Sequence, residues 1–148
     1  MEESFLVKSM RAILEKEKQE EFALKPIKTL GEVILLLKMQ PSSNFVRFDF
    51  TSDNPQRLHS YRGYYSDLAL GHEPVPELVT VGQLLKRFED ADGRTFTGYK
   101  GGDFTMHRKT LVWVASYGNT GRMLVDIQSK DGVTTIITQE DYEVTKCP

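Results

Sequence analysis

The chain has 148 residues, 39% hydrophobic and 27% charged, with a formal net charge of −2 and a single cysteine, Cys147. That length suits one domain burying roughly 68–70% of its unfolded surface, and the composition excludes a disordered chain. The acidic balance, with no block of five or six basic residues, excludes a general binder of long nucleic acid, and one cysteine excludes a disulfide framework or multi-cysteine metal site.

The chain opens on "MEESFLVKSM", acidic where a secretory signal carries positive charge. Phe5, Leu6, Met10, Ile13 and Leu14 recur at helical spacing, and "EKEKQEE" continues with good helix formers, so a helix is expected over residues 3–24. Its apolar stripe is narrow, which places it at a subunit interface or across a sheet. "TLGE" at Thr29–Glu32 is a capping box that opens the run "VILLLKMQ", and "TVGQLLKRFED" repeats the pattern from Thr80. The longest aliphatic run, Val33 to Leu37, is far shorter than the ~20 residues that span a bilayer, so no membrane partner is expected.

Between the boxes, "FVRFDF" at 45–50 alternates as a strand does, and "TSDNP" ends it. The last third reads as strands over 110–116, 122–128 and 133–139. "YGNTG" joins the first two, and Asp131–Gly132 makes a hairpin turn between the second pair. The expected fold is α+β, N-terminal helices with a mostly antiparallel sheet. The expected organisation is an N-terminal helical extension, 1–28, and a single α+β domain, 29–148.

Chemistry is sparse. His59, His72 and His107 have no metal-ligand spacing, and Asp49 with Asp67 is a carboxylate pair only if the fold brings them together. "GYKGGDF" at 98–104 departs from both phosphate-loop patterns and reads first as a tight turn. No catalytic residue, metal site or cofactor is expected.

"LHSYRGYYSDLALG", Leu58 to Gly71, is the unusual stretch, with Tyr61, Tyr64 and Tyr65 around Arg62. Downstream come Phe104, Asn119 and Arg122. Rings stack on a base, a guanidinium forks a phosphate or ribose, and an amide reads a base edge. Trp113, within "LVWVA", reads as core. The candidate ligand-binding residues are therefore Arg62, Tyr64, Tyr65, Phe104, Asn119 and Arg122.

Together "FDF", "SYRGYYSDLAL", "TFTGYKGGDFTM" and "LVWVASYGNTG", over roughly residues 29–128, resemble the phage sponge proteins that defeat Thoeris immunity. Those proteins sequester a cyclic ADP-ribose isomer. The resemblance implies a non-enzymatic homo-oligomer, a dimer or assembly of dimers, acting in the cytoplasm of the infected bacterial host. It carries over Arg62 as a nucleotide-holding arginine, while Phe104, Asn119 and Arg122 suit the family's aromatic, amide and arginine roles. Two other readings stay open: a phage protein that inhibits a host protein through a Tyr/Trp/Arg surface, and a nucleotide hydrolase.

Overall fold

Both capping boxes form. Thr29 Oγ1 accepts from the Glu32 amide at 3.2 Å while Glu32 Oε1 accepts from the Thr29 amide at 3.0 Å. Thr80 and Gln83 repeat the pair at the same distances. These boxes start helix α1, Leu30–Lys38, and helix α2, Val81–Ala91, in a computed structural model that describes residues 26–63, 66–98, 101–116 and 119–140. The expected helix over 3–24 lies outside the described residues.

Eight strands are described: β1 Phe45–Phe48, β2 Asn54–Ser60, β3 Leu68–Glu73, β4 Thr95–Thr97, β5 Asp103–Thr105, β6 Val112–Val114, β7 Arg122–Lys130 and β8 Val133–Gln139. Six form one sheet in the order β1-β8-β7-β6-β3-β2, and β4 and β5 make a separate hairpin. The fold is α+β, with a mixed, mostly antiparallel sheet: β1–β8 and β3–β6 run parallel. The helices are not both N-terminal, because α2 follows β3. Four strands went unread in the sequence: β2, β3 and the short pair β4 and β5 that flanks the expected turn at 98–104. β2 carries Pro55 and polar residues, a composition tolerated because it is an edge strand. β3 is buried on both faces over Leu68–Gly71, which erases the alternation that marks a strand.

One face of the sheet packs against the helices. Leu30, Val33, Ile34 and Leu37 of α1 and Val81, Leu84, Phe88 and Ala91 of α2 meet Val46, Phe48, Leu68, Leu70, Val114, Leu124 and Ile136. The other face holds a smaller cluster, Tyr61, Ala69, Trp113, Ala115 and Met123, with Ile27 and Val125 against it. Lys28 is tied into this body, its amide donating to Leu124 O at 2.8 Å and its carbonyl accepting from Val112 at 3.0 Å. The sheet also coils: the rings of Phe48 and Phe50 lie 5.9 and 5.3 Å from that of His72 on β3, four places away in strand order.

The β7–β8 hairpin closes as its sequence predicts. Asp131 has φ 53° and Gly132 φ 80°, the two positive values of a type I′ turn. Gly132→Ala is expected to cost about 1 kcal/mol, since an L side chain is strained there. A lowered midpoint in urea with an unchanged slope checks this.

Candidate functional site

The Leu58–Gly71 stretch folds as the end of β2, a one-turn 3₁₀ helix over Tyr61–Gly63, and the start of β3. Three contacts pin the turn. Tyr61 N–H donates to Asp67 O at 2.8 Å, the Tyr61 ring stacks on Trp113 at 4.4 Å and 3°, and its hydroxyl accepts from Gly121 N–H at 3.0 Å. Trp113 is core as expected, and its Nε1–H donates to Asp67 Oδ2 at 2.9 Å. Arg62, half-buried, sits at φ 57° and ψ 8°, a left-handed conformation that costs about 1–2 kcal/mol for a residue with a Cβ. Non-glycine residues are held there when surrounding contacts over-determine the turn, which happens most at functional sites.

Because β2 and β3 pair antiparallel, the two ends of the stretch come back together. Leu58, His59, Gly71 and His72, with Gln56, Arg57 and Glu73, line a cavity of about 420 Å³. The imidazole of His59 crosses β3 to place Nε2 3.1 Å from Ala115 O, while Nδ1 lies 3.1 Å from Ser60 O. Gly71 sits beside this imidazole: a Cβ there would stand 3.5 Å from Nε2, an ordinary contact, and 3.2 Å from Arg57 O, a tight one.

His72 is held differently. Its Nδ1 lies 2.7 Å from Asp53 Oδ2, and its ring meets Phe50 edge-on at 90°. A carboxylate that orients an imidazole is one half of a nucleophile-activating system. The other half is missing among the described residues, since the Ser116 hydroxyl donates to the backbone oxygen of His72, at 3.4 Å, and not to its ring. Nineteen residues separate Asp53 from His72, with no local motif to announce the pair.

The predicted residues scatter. Tyr64 and Tyr65 lie outside the described residues, as do Tyr99 and Lys100. Phe104, on β5, packs with the helix-side core, across the sheet from Tyr61 and Trp113. Asn119 is exposed in the β6–β7 connection, its amide donating to Ser116 O at 2.9 Å.

Arg122 turns away from Arg62 toward the far end of β3, where its guanidinium lies 5.0 Å over the Phe50 ring. There Nε donates to Thr138 Oγ1 at 2.7 Å, and Nη1 stands 3.5 Å from Glu140. The Thr138 hydroxyl in turn donates a hydrogen bond to Asp49 Oδ1 at 2.7 Å, so Arg122 joins β7 to β8 and to the end of β1. Asp49 and Asp67 accordingly serve separate partners, Thr138 and Trp113. In "GYKGGDF", Gly101 and Gly102 take φ 107° and 89° at the tip of the β4–β5 hairpin, where Gly98 bonds both.

No family model, curated protein or solved structure matches the chain. Among the described residues, no group of three or more His, Cys, Asp or Glu is placed to hold a metal ion, and no helix is long and apolar enough to cross a membrane.

Proposed function

We propose that this protein binds and holds a small nucleotide-type anion, of the cyclic ADP-ribose isomer class, without cleaving it, and so removes a host antiviral signal. The observation that carries this reading is the open cavity of about 420 Å³ lined by the two ends of the tyrosine–arginine stretch and the strand residues beside them. Its size falls in the range of small-molecule sites, roughly 300–1,000 Å³. Its wall mixes an apolar side chain, Leu58, with polar groups of Gln56, Arg57, His59, His72 and Glu73 that suit base, ribose and phosphate edges. Strands form the wall, so the site is preorganised and little ordering opposes binding.

The direct test incubates the protein with a lysate of defence-active cells, washes and denatures it, and weighs what is released. An intact ADP-ribose-like mass supports the reading. A cleaved product would favour a hydrolase, and a co-purifying polypeptide the inhibition of a host protein. Calorimetry with cyclic ADP-ribose isomers that gave no heat with folded protein would sink the proposal. Homo-oligomerisation belongs to the same reading, and a monomeric mass by light scattering counts against it.

Arg62→Gly separates function from architecture at the turn. Glycine accepts a positive φ freely, so the fold is expected to survive while the guanidinium is lost. Arg62 lies outside the residues that line the cavity, so a fall in ligand affinity of at least about tenfold, the loss of one charge-assisted contact, is the result expected if its guanidinium reaches the ligand from the turn. Unchanged affinity with an unchanged melting curve would remove Arg62 from the site.

A further inference from the structure

The fold gathers three arginines that the sequence keeps far apart. Arg57 on β2, Arg87 on α2 and Arg94 just beyond α2 line a cavity of about 320 Å³ together with Leu58 and Asp90. None of the three has a carboxylate within ion-pair distance among the described residues. The neighbouring acids are already engaged: Asp92 with Arg108 at 3.2 Å and Glu89 with Lys38 at 3.8 Å. Among the described lining residues one carboxylate, Asp90, stands against three guanidiniums, so the cavity carries a local surplus of positive charge in a protein whose net charge is −2.

Two of the arginines are also positioned. Arg87 Nη1 donates to Gln56 O at 3.2 Å, and the Arg94 Cζ stands over the Phe96 ring, 4.9 Å from its centre. A guanidinium carries five N–H donors, and a ring cannot satisfy them all, so an arginine held over a ring keeps donors that can fork phosphate oxygens. Like charges gathered without a counter-ion repel one another, and a bound anion relieves that repulsion.

We infer that Arg57, Arg87 and Arg94 form a binding site for a phosphate-bearing small molecule, with a diphosphate as the best-matched group. The site stands on its own geometry and does not require the nucleotide reading. It adjoins the larger cavity through Arg57 and Leu58, which line both. A ligand with a diphosphate and a nucleoside therefore has an anionic end assigned here and a second cavity beside it.

Inorganic pyrophosphate is the probe, titrated calorimetrically into the full chain at 0.15 M salt. Saturable binding at one site per chain is expected. The double variant Arg57→Gln, Arg94→Gln is expected to weaken it more than tenfold, with an unchanged circular dichroism spectrum because both side chains are exposed. Asp90→Asn removes the one carboxylate and is expected to tighten binding severalfold, an effect that mere loss of folding cannot produce. Absence of saturable binding, or binding that all these variants leave unchanged, overturns the inference. Pyrophosphate binding without any cyclic nucleotide binding keeps this site and removes the nucleotide reading. Nucleotide binding that the double variant leaves unchanged, with no response to pyrophosphate, does the reverse.

Discussion

Gly121→Ala is expected to unfold the protein or to cost more than about 3 kcal/mol, against a typical total stability of about 5–15 kcal/mol. A Cβ at this position would collide with Val114 O and Ala115 Cβ, and would lie 2.8 Å from Ala115 Cα. These are backbone atoms or atoms fixed to the backbone, so no rotamer change relieves the clash. Relief requires moving the connection between β6 and β7, which breaks the pairing of Val114 with Arg122 and the bond from Gly121 N–H to the Tyr61 hydroxyl. The damage then reaches the Arg62 turn through Tyr61. Chemical denaturation monitored by circular dichroism measures the effect, and a loss below 1 kcal/mol would mean that the connection relaxes in a way its packing does not suggest.

Trp113→Ala should be nearly as damaging, at about 3–5 kcal/mol for a buried tryptophan. Trp113 is only 5% exposed, anchors the smaller core cluster, stacks on Tyr61 and donates to Asp67. Its removal opens a void and leaves Asp67 without that donor. Trp113→Phe separates the two losses, because it keeps a ring against Tyr61 but removes the N–H. It is expected to cost about 1–2 kcal/mol plus the smaller ring's lost contact area. For a domain of this size each kcal/mol shifts the melting temperature by roughly 2–4 °C, so the two variants should be well resolved from each other. If Trp113→Phe proved as destabilising as Trp113→Ala, the hydrogen bond to Asp67 would outweigh the stack.

Both predictions concern the scaffold, and both bear on the candidate site because Trp113 and Gly121 contact the Arg62 turn through Tyr61. Tyr61 joins the turn to Trp113 and to Gly121, and Trp113 joins it to Asp67 on the turn's far side. A strained arginine conformation is held in place by such surrounding contacts. Variants that loosen them are expected to weaken any ligand that depends on Arg62, even where they touch no ligand.

Local chemistry made several elements legible in the sequence. The Thr29 and Thr80 capping boxes, the alternation of Phe45–Phe48, the Asp131–Gly132 turn and the strands around it each depend on residues within a few positions of one another. Backbone preferences and side-chain periodicity act at that range, so sequence order alone reveals them. The same is true of Trp113, whose apolar neighbours announce a core position.

What required the tertiary structure are the pairings between distant segments. The parallel ladders of β1 with β8 and β3 with β6 unite strands far apart in the chain, and no local signal specifies such a partner. The β2–β3 pairing set His72 against Asp53, and the β1-β8-β7 order brought Arg122 over Phe50, turning a predicted ligand arginine into a tie between strands. Folding β2 back on β3 made a cavity from the two ends of the tyrosine–arginine stretch, and packing α2 beside β2 collected Arg57, Arg87 and Arg94. A sequence shows which charges and rings a chain owns. Which of them share a cavity depends on long-range burial and strand order, and these exist only once the chain has folded.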